Sequence, residues 1–134
     1  MRVLVLVAAM LASAAVQADE CQRGRGILEV SEWSARLTND SFAPVELTTT
    51  LAHTGDRAFK MIDGGVWFYD ALGRDIIGVS LDPDLSLAPS ETSTSTGNYM
   101  RGTGERLASL ATEDVVAVVC VRSILYSDGT KEEF

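Results

Sequence analysis

Apolar and polar residues alternate along most of this chain with the period of two that marks strands, not the 3.6 of helices. Val45, Leu47, Thr49 and Leu51 alternate with Glu46, Thr48 and Thr50, the pattern of a half-buried antiparallel strand. Upstream, Trp33, Ala35 and Leu37 share one parity while Leu28 and Val30 have the other, which predicts a bulge near Ser31 in a strand over 28–38. The clearest strand spans 60–70, with Ile62, Val66 and Phe68 on one face and Met61, Trp67 and Tyr69 on the other. Gly64-Gly65 inside it suits a bulge or the close approach of another backbone. Ala71-Leu72-Gly73 turns the chain, 76–81 returns as the hairpin partner, and Asp82-Pro83-Asp84 ends it, because proline donates no ladder bond. A serine/threonine run over 92–96 reads as a half-exposed strand. Glycines and arginine make 97–112 a loop, with a short helical turn at 105–110 and a cap or turn at 112–114. The unbroken apolar run 115–121 predicts a central strand buried on both faces, continued by 124–126. Asp128-Gly129 then signals a hairpin to a short, charged edge strand at 130–134. About seven strands separated by regularly spaced turns predict an all-β fold, an antiparallel immunoglobulin-like β-sandwich.

The first residues carry a different pattern. Arg2 precedes an apolar, alanine-rich stretch over 3–15, and Val16-Gln17-Ala18 places small residues at the −3 and −1 positions of a cleavage site. This predicts a signal peptide over 1–18 and a single domain over 19–134, with no membrane insertion once the leader is removed. Net charge is −8, and one unit more negative if Arg2 leaves with the leader. Such a surface repels nucleic acid and anionic lipid, so neither is expected as a partner. The two cysteines, Cys21 and Cys120, lie near the two ends of the expected domain. In an oxidising compartment they read as one disulfide, and they form no CxxC redox pair. Closing so long a loop is worth about 4–5 kcal/mol in the chain-entropy model.

The segment Val66-Trp67-Phe68-Tyr69-Asp70-Ala71-Leu72-Gly73 has an aromatic pair, then Asp, a short turn and Gly, followed by an apolar hairpin strand. It resembles the FxLYD-type domains of exported bacterial proteins. The strand at 45–51 and the turn Leu87-Ala88-Pro89-Ser90-Glu91 hold the places that a preceding strand and a proline-centred turn have in those domains. The resemblance covers about residues 45–96 and implies an immunoglobulin-like sandwich with a non-enzymatic role and no catalytic residues. Antibody domains pack a buried tryptophan on a disulfide that joins two sheets. Trp67 lies on the corresponding kind of strand, but Cys21 precedes the first strand, so the disulfide is expected to staple the N-terminal segment to a late strand.

Candidate chemistry is sparse. His53, the only histidine, opens a Thr-Gly turn and reads as an exposed turn residue. No GxSxG elbow supplies it with a nucleophile. With Met61 and Met100 it makes a scattered set of the kind that suits Cu(I). Asp82 and Asp84 flank Pro83 in a solvated turn and lack the further oxygen ligands of a calcium loop. Glu113-Asp114 and Glu132-Glu133 are adjacent pairs, and neighbours on a strand point to opposite faces. The glycine-rich Gly24-Arg25-Gly26 and Gly102-Thr103-Gly104 lack the phosphate-loop pattern. Asn39-Asp40-Ser41 matches the N-glycosylation acceptor. No metal or cofactor is expected. Trp67 and Tyr69 share one side of their strand. If Ile62, Val66 and Phe68 face inward, Trp67 and Tyr69 form a candidate interaction face. The immunoglobulin pattern favours the reverse, with Trp67 in the core. The expected function is an exported, non-enzymatic binding or accessory module engaging a protein or envelope component through a sheet edge or loops. The alternatives are an acidic inhibitor or sequestering protein for a basic secreted enzyme, and a copper-handling protein.

Overall fold

A computed structural model describes residue 21 and residues 23–134. The expected leader over 1–18 lies outside the described residues. Among the described residues seven strands form in chain order: β1 (Leu28–Leu37), β2 (Val45–His53), β3 (Phe59–Asp70), β4 (Asp75–Ser80), β5 (Thr92–Tyr99), β6 (Val115–Tyr126) and β7 (Lys131–Glu133). Between β5 and β6 lie a five-residue helix α1 (Glu105–Ser109) and a 3₁₀ turn at Thr112–Asp114. All pairings are antiparallel. One sheet has the order β1-β2-β5, the other β4-β3-β6-β7. This is the all-β sandwich that the alternation predicts, with the fourth strand paired to the third instead of lying beside the fifth.

The sheets bury a common core. Leu47 and Leu51 of β2, Ile62, Val66 and Phe68 of β3, Ile77 of β4 and Val119, Val121 and Ile124 of β6 all pack into it. Phe68 is only 1% exposed. Its ring meets Trp33 of β1 at 5.6 Å between centroids, a T-shaped contact between the two sheets. Beyond the irregularity between Phe59 and Met61, the buried side chains of β3 (Ile62, Val66, Phe68 and Asp70) have one parity, so Trp67 and Tyr69 point to the other side, away from the second sheet. The placement of Trp67 in the core is therefore corrected. Trp33 supplies the inward tryptophan, because its own strand faces Phe68.

The expected irregularities appear at the expected residues. The β1–β2 register shifts between Val30 and Glu32, which makes Ser31 the bulge. The β3–β6 register shifts between Asp63 and Gly64, with Arg122 as the extra residue on β6. Here the backbones approach so closely that a Cβ on Gly64 would collide with the Cys120 carbonyl oxygen. Gly129, at φ 90°, turns the β6–β7 hairpin. The disulfide Cys21–Cys120 forms and ties the N-terminal segment to β6 across 99 residues of sequence. The run over 115–121 departs from expectation. It is an internal strand, but only its second half is buried, and Val116 is 52% exposed. Among the described residues no second layer covers the outer face of its sheet.

Candidate functional site

The outer face of the four-stranded sheet carries the aromatic residues. Residues paired across an antiparallel ladder point to the same face. Trp67 pairs with Gly78 of β4 on one side and Val118 of β6 on the other. Tyr69 pairs with Val116, and Gly65 pairs with Cys120 and with Ser80. Farther along, Met61 pairs with Leu125. Met61 and Val116 are 46% and 52% exposed, and Trp67 and Tyr69 are half-buried. Neither aromatic residue packs against the core cluster.

Two glycines fix the attitude of Trp67. A Cβ on Gly65 would come within 2.6 Å of the six-membered ring, and one on Gly78 within 2.9 Å of the indole nitrogen. The indole therefore lies down across bare backbone, over β3 and β4, instead of standing off the sheet. Glycine inside a strand weakens it, and its use here matches close approach by a side chain.

Beside Trp67 is a depression of about 440 Å³, lined by Trp67, Tyr69, both disulfide cysteines, Arg23 and Arg122 among others. The tryptophan and disulfide that antibody domains hold between their sheets here meet a common hollow on the outside of one sheet. Arg23 donates to the Phe134 carbonyl oxygen at 3.4 Å. Arg122 donates to both carboxylate oxygens of Asp63, at 2.8 and 3.1 Å. This pairing draws the Asp63 carboxyl below its ordinary value and raises Arg122. Both side chains are more than half exposed, so the pair orders the bulge with little energy of its own. The hollow thus combines aromatic surface with guanidinium groups on a protein that is acidic as a whole.

His53 is not the exposed turn residue expected from the sequence. It is 4% exposed. Its Nδ1 accepts the Gly55 amide at 3.0 Å, and its Nε2 donates to the Arg57 carbonyl at 2.7 Å. The ring also packs on Phe59, 5.1 Å between centroids. Both nitrogens are engaged in holding the 54–58 turn. Met100 lies just beyond Tyr99, the partner of Val45, whereas His53 ends β2. The length of β2 thus separates them by about 25 Å. Met61 sits on the opposite sheet, so the three residues are not brought together. Among the described residues no group of three or more His, Cys, Asp and Glu is placed to hold a metal ion. Asp82 accepts the Asp84 amide at 2.9 Å within its turn. Asn39 is exposed.

Sequence reasoning missed Asp70. Its carboxylate is 5% exposed and accepts the amides of Leu72 and Arg74, each at 2.9 Å. Arg106 of α1 approaches it at 2.7 Å. The Arg74 amide and then the Arg106 guanidinium hold the Asp70 carboxyl below the usual carboxylate range. The Asp of the Phe-Tyr-Asp segment therefore closes the β3–β4 turn and anchors the helix. Asp before a turn was the available signal, since Asp bonds the backbone two residues on.

Comparison with protein families, curated proteins and solved structures found no match.

Proposed function

We propose that this chain is an exported, non-enzymatic binding module, of the FxLYD type, that engages a protein or an envelope component. The observation that carries the reading is Trp67. A large aromatic ring lies flat on two glycines, outside the core, beside Tyr69 and two arginines. Tryptophan, tyrosine and arginine are the residues that most often dominate binding energy at interfaces. An exposed apolar face on a small domain is itself a mark of interaction. The disulfide fits an oxidising compartment, which supports export.

A second reading rests on charge. At −8 the protein has the field to attract a basic secreted enzyme and act as its inhibitor or sequestering partner. The same experiment tests both. The oxidised protein is immobilised and challenged with extract of its own secretory compartment, at ~50 mM and ~500 mM salt, which span strong and weak screening. A partner that Trp67→Ala retains about ten-fold less well supports the aromatic face. A partner shed by salt and indifferent to Trp67→Ala supports the acidic inhibitor. No partner at either salt overturns both.

A further inference from the structure

We infer that β5 is a docking edge, at which an extended strand of a second protein, alternately apolar and basic at one end, pairs with Thr92–Tyr99. This rests on the reading of the chain as a binding module, but it does not depend on Trp67.

Four strands lie at sheet edges: β1, β5, β4 and β7. Edge strands expose a row of backbone donors and acceptors, and proteins blunt them with charge, shortness or bulges. β1 carries Glu29, Glu32 and Arg36 and the bulge at Ser31. β7 is three residues long and all charged. β4 has six residues and a register shift where it begins. β5 has none of these protections. Its eight residues, Thr-Ser-Thr-Ser-Thr-Gly-Asn-Tyr, include no charge, and its pairing with β2 runs without a shift. No second strand pairs with it among the described residues. In constant-type immunoglobulin sandwiches the fourth strand fills this place. Here β4 has gone to the other sheet and left it open.

The inner face of β5 points to the occupant. Ser93, Ser95 and Gly97 pair with Leu51, Thr49 and Leu47, so they face the second sheet. Ser95 is nevertheless exposed, because no described residue covers that side. A crevice of about 110 Å³ opens there between the sheets, with Val79, Leu81 and Leu85 on its far wall. That is room on the order of one branched aliphatic side chain. A strand added beside β5 places every second side chain over this crevice, and apolar ones fill it. A second copy of this chain offers Ser93, Ser95, Gly97 and Tyr99 from its own β5, three small residues and one tyrosine but no aliphatic side chain for the crevice, and it brings another −8 of charge. A different protein therefore fits better. Asp82 at the crevice, with Asp84 and Glu91 nearby in sequence and exposed, favours a basic residue at one end of the incoming strand.

The probe is a short synthetic peptide alternating valine and threonine with lysine at its ends. A control peptide carries proline in the middle and cannot form the ladder. Titration is followed by tryptophan fluorescence and by amide hydrogen exchange of the oxidised protein. The expected result is saturable binding with about ten-fold slower exchange confined to β5 and its flanks. Thr96→Lys, which charges the edge, and Ser95→Leu, which fills the crevice from within, should each weaken binding about ten-fold or more. Ser95→Leu should do so while remaining folded, which separates loss of docking from loss of structure. No saturable binding, protection elsewhere, or equal binding of the proline peptide overturns the proposal. A dimer in sedimentation that Thr96→Lys dissolves also overturns it, since the occupant is then a second copy. If the peptide fails while Trp67-dependent capture persists, the edge alone is refuted and the binding-module reading stands.

Discussion

At the scale of single residues, polar groups explain more of this molecule than its sparse chemistry suggests. His53 sits between the Gly55 amide and the Arg57 carbonyl, with both ring nitrogens used. Its loss strands two backbone groups at a buried site, and each unsatisfied group costs on the order of 1–3 kcal/mol. His53→Ala should therefore lower stability by about 2–4 kcal/mol in chemical denaturation. An effect under ~0.5 kcal/mol, usual for an exposed turn residue, would return His53 to the surface. The sequence could not show this. A histidine between a strand and a Thr-Gly turn looks solvated until Phe59 is known to pack against it. Asp70 is similar. The Asp before a turn was legible, but its pairing with Arg106, 36 residues away, depends on where α1 lands.

At the scale of elements, the β6–β7 hairpin has its own electrostatic clamp. Arg57 reaches from the β2–β3 turn to Asp128 at 3.1 Å and to the Thr130 hydroxyl, and its guanidinium lies 3.7 Å over the Tyr126 ring. The Thr130 hydroxyl and amide both donate to Asp128. These donors, the hydroxyl first, push the Asp128 carboxyl down to about 2 from its ordinary 3.8. A carboxylate lowered by folding stabilises the folded state fully above its unfolded value, and the contribution fades as pH falls toward the folded one. Stability lost between 3.8 and about 2 should thus be smaller in Asp128→Asn than in the unaltered protein. Acid titrations of identical slope would remove the clamp from the account. Asp128-Gly129 announced this turn, whereas the role of Arg57 was invisible because its partners lie 71 and 73 residues away.

At the scale of the whole molecule, the disulfide is the largest single constraint. It closes a separation of 99 residues, which the chain-entropy model values at about 4–5 kcal/mol. Cys120→Ser should lower stability by roughly 3–5 kcal/mol, and dithiothreitol should do the same to the unaltered protein. Loss of less than ~1 kcal/mol would mean that the sandwich alone holds the N-terminal segment, through contacts such as the Val121 amide on the Arg23 carbonyl. The staple also shapes the outer surface, since it brings Cys21 and Arg23 to the hollow beside Trp67.

The period of two, the parity break at Ser31 and the turn residues by themselves determined seven antiparallel strands, because those signals are local and each strand carries its own. The cysteine count likewise determined the disulfide, since only one pairing exists. Which face of β3 points inward was another matter. Ile62, Val66 and Phe68 compete with Met61, Trp67 and Tyr69 on nearly equal apolar terms, and alternation records two faces without saying which one is covered. The unbroken valines over 115–121 hide the same choice. Only the second sheet decided it, by covering one side of β3 and β6 and leaving the other, with Trp67 lying half-buried on its two glycines, outside the core.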